Sequence, residues 1–248
     1  MLPRVPHLCQ WWKRGAVIFN LSKKMPTLPM PLWVAVLLFF GSLLLGSLGA
    51  LFGMSHGEPA SIEQLAWISG GAICAQLPVV FVYMLFVQPP NIRNNIGLIV
   101  FTFAIFTPLA LAISSVAHVL FSSIGWEDPN EMGHETLTLI QSAEFSTYLV
   151  VVVLAATIGA GVIEEIVFRG LLFPSMPEID GGSSVWGAIF VTSVIFSAMH
   201  IGSVPPSALI GLVVLSIGLC LARAKSGGVF APIVVHILFN AFNIAFVL

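Results

Sequence analysis

Apolar residues along this chain form long runs, unlike the periodic patterns of soluble strands and helices. Seven such runs occur, at 31–53, 65–87, 96–121, 147–173, 185–200, 205–222 and 229–248. A helix needs about 20 apolar residues to cross the hydrocarbon core of a bilayer. Such a helix satisfies its own backbone hydrogen bonds in lipid, and the sequence lacks the alternating pattern of a membrane barrel strand. The pattern therefore predicts an all-α, polytopic membrane helix bundle with about seven transmembrane helices.

The composition supports a membrane protein and excludes several other classes. Hydrophobic residues make up 58% of the 248 positions and charged residues only 8%, whereas a soluble domain carries about 25% charged residues. The formal net charge of −2 provides no basic field that could attract nucleic acid. We therefore expect membrane lipid around this chain, and no nucleic acid among its partners.

Basic residues are distributed unevenly between the loops that connect the predicted spans. Five of the nine precede the first span, within residues 1–28, and the others lie at 93, 169, 223 and 225. The predicted loop 122–146 contains five acidic residues and no basic one. Because cytoplasmic loops are enriched in Lys and Arg, we expect a cytoplasmic N-terminus and a location in the cell membrane.

Charged side chains within the predicted spans occur only in the last four, where they belong to a polar cluster. The cluster comprises Glu164, Glu165, Arg169, His200, His236 and Asn240. Charged groups at membrane depth cost several kcal/mol each, and they are retained mainly where they serve a function. The cluster is therefore the candidate functional site.

Helical spacing separates the two adjacent glutamates. Glu165 and Arg169 are four residues apart, with the acid on the N-terminal side, which favours an ion pair on one helix face. Glu164 is rotated by about 100° from Glu165 and is left as the free carboxylate. His236 and Asn240 also share one face. With a rise of about 1.5 Å per residue, these side chains can meet at one level of the membrane, in a site open toward the cytoplasm.

Three short motifs in this cluster resemble those of a known family. The segment Glu164–Arg169 resembles the EExxxR motif, Phe196–His200 the FxxxH motif and His236–Asn240 the HxxxN motif of the CPBP family. This family contains the CAAX-protease and bacteriocin-processing intramembrane proteases. The motifs occur in the family's order on three separate predicted helices, and the resemblance extends over residues 147–246.

The resemblance implies an intramembrane endopeptidase, and together with the hydrophobic runs and the basic residues it divides the chain into three regions. These are a basic cytoplasmic tail at 1–28, N-terminal membrane helices at 29–146 and a catalytic membrane core at 147–248. The implied substrate is a hydrophobic or lipidated peptide, or a membrane protein. The motifs do not choose between a prenylated CAAX tail, a leader peptide and another membrane protein, because a fold and its motifs do not fix the substrate.

The family's mechanism, carried over by resemblance, assigns a role to each motif residue. Four residues are expected to be catalytic: Glu164, His200, His236 and Asn240. Three are expected to support them: Glu165, Arg169 and Phe196. The first two catalytic residues would activate the attacking water, and the last two would stabilise the oxyanion. The supporting ion pair would fix the fourth helix, and the phenylalanine would pack beside His200 and line the site.

Alternatives to this assignment stay open from the sequence. Two histidines and two glutamates can also ligate zinc, although the family's glutamate mechanism needs no metal and we expect no cofactor. The ion pair can be purely structural, and Asn240 can form a helix–helix hydrogen bond alone. A transporter or ion carrier can use the same polar cluster, although transporters often contain inverted repeats and the sequence has none.

Glycines in the first predicted span carry a further structural prediction. Gly49 and Gly53 are four residues apart and form a small-xxx-small pair. Such pairs let helix backbones approach closely. We expect them to pack the first span against another helix of the same chain.

Overall fold

The computed structural model describes residues 28–87, 92–128, 135–180 and 185–247. The tail expected at 1–28 therefore lies outside the described residues, except for Leu28. The helices, in chain order, are α1 (Leu32–Met54), α2 (Ile62–Met84), α3 (Ile92–Ser123), α4 (Glu135–Ser142), α5 (Thr147–Leu154), the π-helical segment π1 (Ala155–Gly159), α6 (Ala160–Glu165), the π-helical segment π2 (Ile166–Leu172), α7 (Phe173–Asp180), α8 (Val185–Ala198), α9 (Pro206–Ser226) and α10 (Phe230–Val247).

These helices confirm the all-α membrane bundle predicted from the hydrophobic runs. Each of the seven runs is largely helical, and the segments from α5 to α7 together form the fourth span, here called the composite helix. Five helices are long and apolar enough to cross a membrane: α1, α2, α3, the composite helix and α9. The two remaining runs form shorter apolar helices, α8 and α10. Within the described ranges, the only extended pairing is an isolated bridge between Ile201 and Val204.

Helix α9 lies at the centre of the C-terminal half of the bundle. It packs against α3, α8 and α10 and also contacts π2. Leu215, Leu219 and Leu221 of this helix are almost completely buried. On the other side, α2 packs against both α1 and α5, which joins the N-terminal helices to the composite helix. The polar cluster therefore lies between two groups of helices.

The composite helix contains two π-helical turns that the hydrophobic pattern did not predict. The predicted end of the fourth span at residue 173 is wrong, because α7 continues the helix to Asp180. Pro174 lies inside the composite helix, where it has no N–H to donate to a carbonyl of the preceding turn. The turn before it has π register, with the N–H of Phe173 bonded to the carbonyl of Phe168. Such turns are rare and occur frequently at functional sites.

The fifth predicted span, 185–200, ends earlier than the apolar pattern suggested. Helix α8 stops at Ala198, so His200 lies in the turn that follows it and not deep within a helix. The N–H of His200 donates to the carbonyl of Ser197 at 3.0 Å, and Gly202 has a φ of 88°. A residue with positive φ cannot continue an α-helix. The turn therefore holds His200 at the end of α8.

A short helix also lies within the predicted loop 122–146. Helix α4 places Ile140, only 1% exposed, in a core cluster with Leu149, Val152 and Ile244. The eight residues of α4 are too few and too polar to register as a membrane span. Their amphipathic spacing buries one apolar face against the composite helix and α10.

Glycines on α1 let α2 approach at backbone contact. A Cβ atom added at Gly49 would lie 2.2 Å from the carbonyl oxygen of Gly71, and one at Gly53 would lie 2.4 Å from that of Trp67. Only a hydrogen fits in these gaps. The contacts confirm that the small-xxx-small pair packs two helices of one chain together.

We predict that Gly49→Ala lowers the free energy of unfolding by about 1–3 kcal/mol, because the added methyl group forces the two helices apart. Gly41→Ala in the same helix is the matched control, because a Cβ atom there meets nothing within 4 Å. Denaturant unfolding in detergent micelles measures both variants. Equal stabilities of the two variants would contradict the backbone contact.

Candidate active site

The two glutamates occupy the last turn of α6, between the two π-helical segments. Glu165 is completely buried, whereas the side chain of Glu164 is 29% exposed. Adjacent residues on a helix point about 100° apart, so one carboxylate faces the interior of the bundle while the other faces a cavity. The two side chains therefore have separate environments.

The carboxylate of Glu165 contacts two partners, Arg169 and His236, through one oxygen. Its Oε1 accepts a hydrogen bond from Nη1 of Arg169 at 2.8 Å and lies 2.8 Å from Nδ1 of His236. Both Glu165 and Arg169 are 0% exposed. Because a carboxylate is an acceptor, Nδ1 of His236 carries the proton in this contact. The contact ties α10 to the composite helix across the bundle.

Glu164 faces His200 without a direct hydrogen bond. Its Oε2 lies 3.9 Å from Nε2 of His200, which exceeds the usual limit of about 3.2 Å. Within the described residues, this oxygen has no hydrogen-bond partner. Two polar atoms at this separation can share a bridging water.

The imidazole of His200 is oriented by the helix that precedes it. Its Nδ1 lies 2.9 Å from the carbonyl oxygen of Phe196. A carbonyl oxygen can only accept, so Nδ1 must carry a proton. In a neutral ring, Nε2 then has a free lone pair, and this is the atom nearest to Glu164.

His236 and Asn240 lie one turn apart on α10 and both border the cavity. The contact of His236 with Glu165 uses Nδ1, which leaves Nε2 as the other polar atom of the ring. The amide of Asn240 donates to the carbonyl of Ala156 at 2.8 Å. This is the helix–helix hydrogen bond that the sequence left open for Asn240. It occupies one N–H of the amide and leaves the second for another acceptor.

Phe196 packs between the buried ion pair and the two imidazoles. Its ring lies under the guanidinium of Arg169, with Cζ 4.5 Å from the ring centroid. Its centroid is 5.0 Å from that of His200 and 5.9 Å from that of His236. The side chain is completely buried and does not border the cavity. It therefore packs beside the site without lining it.

One cavity of about 470 Å³ brings together the four residues expected to be catalytic, Glu164, His200, His236 and Asn240. Part of its wall is one face of α2, formed by Ser69, Ala72, Ile73 and Gln76. These four positions have helical spacing and lie outside the region that carries the motifs. The three supporting residues do not line the cavity.

The sequence analysis missed the partner of Arg169 on α9. The hydroxyl of Ser216 accepts a hydrogen bond from Nη2 of Arg169 at 2.6 Å, and Ser216 is completely buried. A serine within an apolar span is a weak signal by itself, because its hydroxyl can bond to its own helix. The carbonyl of Ala156 has no signal in the sequence, because a π-helical turn exposes it.

The donor groups can also be compared with those of a metal site. In the described part of the chain, no three His, Cys, Asp or Glu side chains converge closely enough to hold a metal ion. Nδ1 of His236 and Oε1 of Glu165 are already bonded to each other. The Nε2 atom of His236, which the contact with Glu165 leaves free, is a third nitrogen or oxygen donor at the cavity beside Glu164 and His200. A histidine bound to zinc commonly donates its other ring N–H to a carboxylate, so zinc stays an alternative that the experiment below tests.

Comparison with known families returned one match. Residues 146–242 match the family model described as type II CAAX prenyl endopeptidase Rce1-like. The match covers less than half of the chain and includes all seven motif residues. No curated protein and no solved structure matched the chain. The family match confirms the resemblance of the motifs, and the first three helices have no such support.

We predict that neutral His200 carries its proton on Nδ1, because the carbonyl of Phe196 accepts from that atom. Nitrogen-15 NMR of histidine-labelled protein measures the tautomer, and a His200→Gln variant assigns the resonances. A neutral ring protonated on Nε2 would contradict the geometry, since Nδ1 would then have no proton to donate.

Proposed function

We propose that the protein cleaves a peptide bond within the membrane by means of water held between Glu164 and His200. The premise is the match of residues 146–242 to the family model of type II CAAX prenyl endopeptidase Rce1-like proteins, which are peptide hydrolases. The observation that carries the proposal is the separation of 3.9 Å between Oε2 of Glu164 and Nε2 of His200 at the wall of one cavity. A carboxylate and an imidazole placed in this way can hold and deprotonate one water molecule.

In the proposed reaction, the water oxygen bonds to the carbonyl carbon of the substrate while its proton passes to Glu164. Nε2 of His200 accepts a hydrogen bond from the second O–H of the water, and this bond orients the lone pair of the water oxygen toward the carbonyl carbon. The tetrahedral intermediate then collapses, the C–N bond breaks, and the proton held by Glu164 passes to the leaving amine. Each step uses groups that border the cavity.

The oxyanion of the intermediate would be stabilised by His236 and Asn240. Nδ1 of His236 already donates to Glu165, so Nε2 donates to an oxyanion only when both ring nitrogens are protonated. Glu165 then lies between two cations, the imidazolium and the guanidinium of Arg169. Glu165, Arg169 and the protonated His236 together have a net positive charge, which stabilises the negative charge that develops on the oxyanion. The second N–H of Asn240 is the other donor.

The substrate would be an apolar or lipidated segment in the membrane. The cavity walls contain many small side chains, among them Ala72, Ala110 and Ala208, which leave room for an extended chain. The face of α2 from Ser69 to Gln76 would line one side of that chain. The basic residues near the N-terminus support a cytoplasmic N-terminus and a place in the cell membrane.

We predict that Glu164→Gln lowers kcat on a membrane-embedded peptide by about 10²–10⁴-fold, because the amide cannot accept the proton of the water. Glu58→Gln is the matched control, because Glu58 is an exposed loop residue. The assay uses purified protein in liposomes with fluorogenic lipidated and unlipidated peptides. Full turnover in the Glu164→Gln variant would end the proposal.

The same assay separates metal-free from zinc chemistry. After dialysis against a strong chelator, we expect the turnover of the wild-type protein to be unchanged. If the chelator abolished turnover and added zinc restored it, zinc would activate the water, and the proposed metal-free activation would be wrong. Solute flux through the liposomes without any cleavage would instead favour a carrier.

We also predict that Ala72→Phe lowers kcat/KM by roughly tenfold or more, because the added ring occupies space that the substrate needs. Leu77→Phe is the control on the same helix, because Leu77 is 53% exposed on the outer face and does not border the cavity. If the two variants had equal kcat/KM, α2 would not form a wall of the substrate site.

A further inference from the structure

Two residues on one face of α9 contact Arg169, one at its guanidinium group and the other at its main-chain carbonyl. Nη2 of Arg169 donates to the hydroxyl of Ser216 at 2.6 Å and to its carbonyl at 3.4 Å. Nε of Arg223 donates to the main-chain carbonyl of Arg169 at 2.9 Å. Ser216 and Arg223 are seven residues apart, which places them two turns apart on the same side of α9. The side chain and the backbone of Arg169 are thus anchored to the same helix.

The main-chain carbonyl of Arg169 needs a donor from outside the composite helix. In an α-helix that donor would be the N–H of Phe173, but the π register directs this N–H to the carbonyl of Phe168. The next donor in π register would be residue 174, which is a proline and has no N–H. A buried carbonyl without a partner is costly. Nε of Arg223 takes the place of the missing backbone donor.

The guanidinium of Arg169 is fixed in two directions. Nη1 donates to Glu165 and Nη2 to Ser216, while one face of the group lies against Phe196. Glu165 in turn contacts Nδ1 of His236, whose ring borders the cavity. A displacement of Arg169 would therefore move the carboxylate that orients His236.

We propose that Ser216 and Arg223 are positioning residues, which set the orientation of His236 through Arg169 and Glu165. This inference rests on the proposed function, because it assigns His236 to the oxyanion site. Both residues are buried, with exposures of 0% and 3%, and neither borders the cavity. They affect the stability of the transition state without contacting the substrate, so their substitution lowers kcat and leaves KM unchanged.

The first test compares three serine variants in the peptidase assay. Ser216→Ala is expected to lower kcat roughly tenfold, the usual effect of losing a hydrogen bond to a charged group, with KM unchanged within about twofold. Ser216→Thr keeps the hydroxyl and is expected to restore kcat to within about threefold of wild type. Ser175→Ala is the control, because Ser175 is also buried but its hydroxyl donates to the carbonyl of Leu171, one turn earlier in the same composite helix.

A double-mutant cycle tests whether Ser216 acts through Arg169. Lysine at position 169 keeps the positive charge but lacks the two Nη atoms with which the arginine reaches both Glu165 and Ser216. In the Arg169→Lys background, we therefore expect Ser216→Ala to change kcat by less than about twofold. Independent effects of the two substitutions would overturn the proposed route.

The proline provides a second test, which does not depend on Ser216. Arg223→Met is expected to lower kcat, and Arg223→Lys to retain more of it, because an ammonium group can still donate to a carbonyl. Pro174→Ala restores an N–H at position 174, so it is expected to recover part of the kcat lost in Arg223→Met. The absence of recovery in a folded double variant would overturn the role assigned to Arg223.

These outcomes are separable from a failure of the proposed function. If the wild-type protein cleaves peptides and Glu164→Gln does not, the proposed function stands. If Ser216→Ala then lowers only the melting temperature and leaves kcat unchanged, Ser216 is purely structural and the positioning role is wrong. If the wild-type protein cleaves nothing, the proposed function fails first.

Discussion

A single buried carboxylate determines how the C-terminal half of this bundle fits together. Glu165 is fully buried, and burying an unpaired charge is far too costly for a stable protein. The pairing with Arg169 and His236 compensates that cost and requires the composite helix and α10 to stay in register. Because Glu165 contacts both Arg169 and His236 from one position, the neighbouring Glu164 is left to face the cavity. The contrast between the two glutamates follows from this pairing.

The two π-helical segments are used in the same way on either side of the glutamates. In π1, the carbonyl of Ala156 accepts a hydrogen bond from Asn240 of α10. In π2, the carbonyl of Arg169 accepts one from Arg223 of α9. A regular α-helix would keep both carbonyls for its own N–H groups. The irregular turns thus provide acceptors that attach two neighbouring helices to the segment that carries the carboxylates.

The sequence predicted the membrane spans and the Glu165–Arg169 pair, because both depend on local spacing. It did not predict the features that depend on contacts between distant segments. The π-helical turns have no sequence signature, and the apolar run ends at residue 173 where the helix continues as α7. The turn that holds His200 is marked by Gly202 and by Pro205, signals that the apolar run around them obscured. Ser216 becomes meaningful only when Arg169 is placed beside it.

The most direct test of the account is an experimental structure of the protein in lipid, bound to a peptide aldehyde whose hydrate, formed by addition of water to the aldehyde carbon, mimics the tetrahedral intermediate. The account predicts the tetrahedral carbon in the cavity, with one oxygen bonded to Nε2 of His236 and to the amide of Asn240. The other oxygen would lie between Glu164 and His200. An aldehyde carbon bound elsewhere, or a Glu164 carboxylate turned away from it, would contradict the account.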